Sequence, residues 1–188
     1  MHEEDTTDSV TGLPVEPPMG GSEVDSLLGE LERLRRTFAW KTGDLDAAGL
    51  RATTAASSMT LGGLVKHLAL VEVDWFAARL RGEKHGEPWA TADWDADPDW
   101  EWHSAAEDSP DELYALWWAS TDRARRCLAE ALAGGGLDGP AAFTWPDGRR
   151  PSTRRVVVDM VEEYARHLGH ADILREAVDG RVGEDAPR

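Results

Sequence analysis

Residues 154–180 read RRVVVDMVEEYARHLGHADILREAVDG, and the apolar positions of this segment recur every three or four residues. Positions with this spacing lie on one face of an α-helix. Ser152 or Thr153 stands where a helix N-cap is expected, and Gly180 stands where a helix ends. The segment therefore predicts a long amphipathic helix whose inward-facing positions are Val156, Met160, Glu163, His167, His170 and Leu174.

Three segments upstream show the same period. They read SEVDSLLGELERLRRTF from Ser22, LGGLVKHLALVEVDWFAARLRG up to Gly82, and SPDELYALWWASTDRARRCLAEALAGGG from Ser109. Residues 83–109, rich in Trp, Asp and Pro, form a long connection between the second and third helices. The turn-forming residues of FTWPDGRRPS, residues 143–152, predict at most a small hairpin. Four amphipathic helices with one long connection predict an all-α four-helix bundle.

The domain organisation is simple. The chain has 188 residues, 41% of them apolar, which suits one domain with a substantial core. We expect residues 1–20 to be a mobile acidic N-terminal arm, residues 21–184 to form the single bundle domain, and residues 185–188 to be a C-terminal tail.

Charge and composition exclude several classes of function. The 36 acidic residues outnumber 20 basic ones, and the net charge of −16 would repel nucleic acid and anionic membrane surfaces. The acidic N-terminus does not resemble a signal peptide, and no apolar run reaches the length of a membrane span. The lone cysteine, Cys127, cannot form an intramolecular disulfide. These features predict a cytoplasmic protein that binds neither nucleic acid nor membrane.

The fourth helix carries polar residues on its inward face, and they suggest a metal site. A buried carboxylate is costly unless it is paired or bound to a metal. Glu163 and His167 are one turn apart, and His67 projects from the edge of the apolar face of the second helix. Two imidazoles and a carboxylate form a known ligand set of catalytic zinc sites. The alternative is a simple hydrogen bond between Glu163 and His167, with His67 satisfied elsewhere.

Separated blocks of the sequence resemble the DinB superfamily, in the branch near the mycothiol-dependent maleylpyruvate isomerases and the mini-circle-type proteins. The blocks are TLGGLVKHLALVEVDWF, DPDWEW, SPDELYALWW and MVEEYARHLGHADILREAVDG, and the resemblance spans roughly residues 20–184. It implies a four-helix bundle that binds zinc, or alternatively nickel, through His67, Glu163 and His167. The H-x-G-Q motif of the superfamily ends here in His170 instead of Gln. The additional C-terminal domain of the isomerase has no counterpart among these residues, so the resemblance does not imply isomerase activity.

The resemblance implies a metal-dependent, thiol-using transferase, with mycothiol as cosubstrate and an electrophilic small molecule as the second substrate. It also implies a homodimer. One alternative is metal-assisted hydrolysis, with Asp159 or His170 as the candidate base. Another is a non-enzymatic metal-binding or stress-response module.

Other residues allow both a functional and a structural interpretation. The tryptophans of the long connection could form a lid over the bundle, although indoles more often pin such a loop to the core. Tyr164 and Arg175 could reach the site, although packing is the commoner role of such residues. Cys127 is expected to be a buried structural residue. Of Trp117 and Trp118, one is expected to lie at an interface or under the long connection.

Overall fold

The computed structural model describes residues 16–54 and 57–184. The helices are α1 (Glu23–Thr42), α2 (Ala47–Arg51), α3 (Leu61–Glu72, continuing as a π-helix over Val73–Leu80), α4 (Trp100–Ser104), α5 (Pro110–Gly135) and α6 (Thr153–Asp179). Among these residues there is no strand, and the predicted hairpin is only an isolated bridge between Pro140 and Ser152. The all-α prediction is confirmed. The predicted tail and most of the predicted N-terminal arm lie outside the described residues.

Four long helices, α1, α3, α5 and α6, form the bundle. α1 packs mainly against α6, and α3 packs mainly against α5. The N-cap expected at Ser152 is present, and Ser22 and Ser109 cap α1 and α5: the side chain of each serine accepts a hydrogen bond from the first turn of its helix. Such caps satisfy backbone N–H groups that have no partner within the helix. Gly180 adopts a left-handed conformation at the end of α6, as its position predicted. No helix in the described ranges is both long and apolar enough to span a membrane.

The second predicted helix differs from expectation in one respect. It does not remain α-helical to its end, because the segment from Val73 to Leu80 is a π-helix. A π-helix is wider than an α-helix and changes the direction in which later side chains project. The apolar spacing of the sequence is compatible with both forms, so periodicity alone could not reveal this change.

The connection between α3 and α5 is held against the bundle by its tryptophans. Trp89 is buried, while Trp94, Trp100 and Trp102 are partly buried and pack against the core. The Trp94 indole N–H donates a hydrogen bond to the carbonyl of Trp89. This arrangement agrees with the interpretation that the indoles pin the connection to the core.

A buried polar network joins all four bundle helices. Arg35 of α1 donates two hydrogen bonds, of 2.7 and 2.6 Å, to the carboxylate of Glu72 at the end of α3. The hydroxyl of Tyr164 on α6 donates to the same carboxylate at 2.7 Å and accepts from the Trp117 indole of α5 at 3.0 Å. Glu72 and Tyr164 are fully buried. The network assigns Tyr164 to the core, and Trp118, the neighbour of Trp117, is partly buried and packs against the core.

Candidate metal centre

Two bundle helices bring the predicted metal ligands together. His67 lies in the middle of α3, while Glu163 and His167 are one turn apart on α6. One ligand atom from each of these three residues lies within 4.8 Å of the other two. α3 and α6 thus bring the side chains of the three predicted ligands close together.

The carboxylate of Glu163 lies between the two imidazoles. Its Oε1 atom is 3.3 Å from His67 Nε2 and 3.2 Å from His167 Nε2. Tetrahedral coordination at about 2.1 Å places neighbouring ligand atoms about 3.4 Å apart, so both separations suit a shared zinc ion. The side chains of His67, Glu163 and His167 are 18%, 29% and 10% exposed, respectively. The cluster is therefore partly exposed to solvent.

Glu101 contacts Nδ1 of His67, the ring nitrogen that does not contact Glu163. The residue belongs to α4 in the long connection, and its Oε1 atom is 3.1 Å from His67 Nδ1. Its other oxygen, Oε2, is buried and has no hydrogen-bond partner among the described residues. A carboxylate that accepts the Nδ1–H of an imidazole leaves the lone pair of Nε2 free to bind a metal. Glu101 is therefore placed to set both the tautomer and the orientation of His67.

Trp102, one residue further along α4, fixes the plane of the same imidazole. Its ring stacks on that of His67, with 4.6 Å between centroids and 24° between planes. The imidazole of His67 cannot rotate freely without losing this contact. α4 thus contributes one polar and one aromatic contact to His67.

The electrostatics of the cluster favour an ionised carboxylate. Hydrogen bonds from His167 and His67 hold the pKa of Glu163 well below its ordinary value. Burial acts to lower the pKa of His67, but the hydrogen bonds to Glu101 and Glu163 outweigh it and raise that pKa overall. Burial also lowers the pKa of His170. The carboxylates of Glu101 and Glu163 thus favour a positive charge on His67. A metal cation bound at this place could supply that positive charge instead of a proton.

The remaining candidate residues have distinct places. His170 is next to the cluster, with its Nδ1 atom 3.3 Å from His167 Nδ1. Asp159 lies one turn before Glu163 on α6 and is ion-paired with Arg155 at 2.6 Å. Arg175 is fully buried and donates to the carbonyls of Lys41 and Gly43, so it secures the end of α1 and does not reach the cluster.

Sequence reasoning missed Glu101 and Trp102 as site residues. Both lie in the DPDWEW block, where alternating acids and indoles indicated a loop. Only the short helix Trp100–Ser104, packed against α3, brings them to His67. The available signal was the acid between two tryptophans, which is a weak indication of a buried carboxylate.

The donor set fits a divalent metal. Two imidazoles and a carboxylate are ligands that zinc accepts, and they leave a coordination position open. The buried carboxylate of Glu101 behind His67 is the kind of supporting contact that metal-bound histidines usually have. The alternative without a metal, a hydrogen bond between Glu163 and His167 with His67 satisfied elsewhere, also agrees with these contacts, because His67 Nδ1 has Glu101 as its partner.

Comparison with known proteins adds independent information. No curated protein matches the chain. The family model described as mycothiol-S-transferase matches residues 26–180, which include α3, α5, α6, most of α1 and the complete histidine and glutamate cluster. The match covers most of the chain, and we conclude that this protein belongs to the mycothiol S-transferase family.

Proposed function

We propose that this protein is a metal-dependent S-transferase that joins a low-molecular-weight thiol, mycothiol in the first instance, to an electrophilic small molecule. The observation that carries the proposal is the convergence of His67, Glu163 and His167 within 4.8 Å in a member of the mycothiol S-transferase family. The same three residues follow from the spacing of the sequence and from the resemblance to the DinB superfamily.

The metal would be held by His67 Nε2, His167 Nε2 and a carboxylate oxygen of Glu163, with zinc as the first candidate and nickel as the second. When bound, a divalent ion with two neutral imidazoles and one carboxylate retains positive charge and lowers the pKa of a thiol.

The side chains of the cluster then have separate tasks. Glu101 accepts the Nδ1–H of His67 and keeps Nε2 directed toward Glu163. His170 is placed to accept the Nδ1–H of His167, which gives the second imidazole the same tautomer. A neutral His170 is required for this role, in agreement with the burial that lowers its pKa. We propose His170 as a positioning residue.

The reaction we propose is a substitution at carbon. The thiol loses its proton to solvent, and its sulfur attacks the electrophilic carbon and forms the C–S bond. The leaving group departs with the electron pair of the bond that breaks. Among the described residues, the only cysteine is buried, and burial raises the pKa of its thiol, so Cys127 is unsuited to supply the nucleophile.

Metal-assisted hydrolysis has less support. Its candidate base Asp159 is engaged by Arg155, and the other candidate, His170, contacts His167. We also propose a cytoplasmic location, where low-molecular-weight thiols are kept reduced, and a homodimer, which sedimentation velocity would detect.

The direct test is product formation. Zinc-loaded protein is mixed with mycothiol and an aryl chloride, and the thioether is measured by mass spectrometry. We expect a rate above the uncatalysed one that disappears in the metal-stripped protein and in His167→Ala. A fully zinc-loaded protein that forms no thioether faster than buffer, with any of a panel of electrophiles and thiols, contradicts the proposal.

A further inference from the structure

A cavity lies where the π-helical end of α3 meets the start of α6. It has a volume of about 340 Å³ and is formed by the π-helical end of α3, the turn before α6 and the first two turns of α6. Its walls carry two indoles, three guanidinium groups and one carboxylate: Trp75, Trp145, Arg149, Arg150, Arg155 and Asp159. Neither the proposed metal ligands nor their supporting residues line it.

The cavity continues the line of contact between α3 and α6 on which the metal cluster lies. Asp159 is four residues before Glu163 on α6, which corresponds to one turn, or about 6 Å. Trp75 is eight residues after His67 on the same continuous helix. A molecule of moderate size that occupies the cavity could therefore extend to the metal cluster.

The charge of the cavity is opposite to that of the protein. Arg149 is paired with Asp147 and Arg155 with Asp159, while Arg150 donates its Nε–H to the carbonyl of Ala141. Among the side chains that line the cavity, three guanidiniums stand against one carboxylate, in a chain with a net charge of −16. The side chains of Arg149 and Arg155 are 83% and 68% exposed and can reorient toward a ligand. Guanidinium groups bind carboxylates with paired hydrogen bonds.

The indoles indicate the shape of the ligand. Trp145 is 44% exposed, and its ring lies nearly perpendicular to that of Phe143 with 5.0 Å between the ring centroids, so the indole is held without being covered. Arg79 lies over the Trp75 ring at 4.4 Å and orients it. An exposed indole that is held in place, as Trp145 is, can bind a planar apolar group by stacking, and the half-buried Trp75 supplies a second ring in the wall.

The π-helix is an independent sign of function at this place. π-helical turns are rare and occur frequently at functional sites. Here the π-helical segment begins directly after Glu72, where the regular α-helix ends. It contains Trp75, which lines the cavity.

We propose that this cavity binds a small planar molecule that carries a carboxylate, with the carboxylate at the arginines and the ring between the indoles. If this molecule is also a substrate, its electrophilic carbon would face the metal cluster. The substrate role rests on the proposed transferase function, whereas the binding of the molecule to the cavity does not.

The binding test uses a chloronitrobenzoate and its matched chloronitrobenzene, which lacks the carboxylate. Isothermal titration calorimetry on zinc-free protein measures the affinity for both compounds. We expect saturable binding of the benzoate and at least about tenfold weaker binding of the neutral compound, because it loses the charge-assisted hydrogen bonds. Binding of the two compounds with equal affinity, or no saturable binding at millimolar concentrations, overturns the proposal.

Variants then locate the site. The double variant Arg149→Gln with Arg155→Gln, and separately Trp145→Ala, should each weaken benzoate binding by about tenfold or more, while the folded structure persists because these side chains are exposed. Arg126→Gln, at an exposed arginine of α5 that does not line the cavity, is the matched control and should bind as the wild type does. Unchanged affinity in both cavity variants overturns the assignment.

Thioether formation from the benzoate separates the two proposals. Benzoate binding at the cavity without any thioether leaves the binding site in place and refutes only its role in thiol transfer. Thioether formation that proceeds equally well with the neutral compound and in the cavity variants supports the transferase and refutes the cavity as its substrate site.

Discussion

Replacing Glu101 by glutamine changes the support of His67 with little change in shape. In the wild type, Oε1 of Glu101 is 3.1 Å from His67 Nδ1, and Oε2 is buried without a partner among the described residues. The amide of glutamine can still offer an oxygen to the Nδ1–H, but it carries no charge. It also places an N–H₂ group where Oε2 was, and no described residue there accepts its hydrogen bonds. The variant therefore weakens the hold on the imidazole without removing any proposed ligand.

The expected loss follows from the role of such contacts. Removing the residue that orients a metal-bound histidine typically lowers metal affinity about 10- to 100-fold, or about 1.4 to 2.8 kcal/mol. Competition with a chromophoric chelator measures the zinc affinity of each protein. Nitrogen-15 chemical shifts of His67 in the zinc-free protein report the tautomer, which a purely structural role of Glu101 would leave unchanged.

The matched control is Glu107→Gln, because Glu107 is an exposed carboxylate shortly after α4. Its zinc affinity should equal that of the wild type. Chemical denaturation of both variants shows whether any loss of affinity reflects unfolding. A zinc affinity for Glu101→Gln within twofold of the wild type, together with an unchanged His67 tautomer, would refute the reasoning about Glu101.

Four further outcomes are expected. His167→Ala should lose stoichiometric metal and keep its fold, because two remaining ligands hold zinc poorly; unchanged metal content by elemental analysis speaks against this site. Glu163→Gln should lower zinc affinity by orders of magnitude, since the neutral amide is a much weaker ligand, and equal affinity by calorimetry removes Glu163 from the ligand set. In the cobalt-substituted protein, bound mycothiol should produce an intense near-ultraviolet charge-transfer band. The affinity of the protein for mycothiol should rise with pH between the pKa of the bound thiol and that of the free thiol. The absence of this band at full cobalt occupancy would exclude thiolate binding. Cys127, whose pKa is raised by burial and by Glu83, should react with iodoacetamide more slowly in the folded than in the unfolded protein. A raised pKa favours the neutral thiol in the fold, so this contribution to stability is present below the unfolded pKa and declines as pH rises through the folded pKa. Faster alkylation of the folded state by mass spectrometry contradicts this prediction.

Local sequence signals predicted the bundle well. Apolar spacing located the four long helices, and Ser22, Ser109 and Ser152 marked where they begin. These features depend on neighbours within one or two turns, so a single sequence contains them. The proposed ligand set was also predictable, because inward polar residues on a helix are costly and therefore informative.

Features that depend on distant contacts were not predictable. The hydrogen bond between Glu101 and His67 joins residues 34 positions apart, across a connection that has no periodicity of its own. The π-helix after Glu72 likewise leaves no distinct pattern of apolar residues. The basic cavity depends on a turn of residues 143–152 that brings Trp145 beside Trp75, and the sequence indicated only that a turn was present.

The buried network of Arg35, Glu72 and Tyr164 fixes the position of α6 along α3, and with it the geometry of the proposed metal cluster. Tyr164 follows Glu163 directly in α6, so the hydrogen bond from its hydroxyl to Glu72 also sets the position of Glu163 relative to α3. Sliding α6 by one turn, about 5.4 Å, would break this bond and separate Glu163 from His67 in the same movement. Losing the hydrogen bond from Tyr164 to the fully buried carboxylate of Glu72 costs about 1.5 to 3 kcal/mol. The spacing of the proposed metal ligands is therefore set in part by a hydrogen bond in the core that never touches the metal.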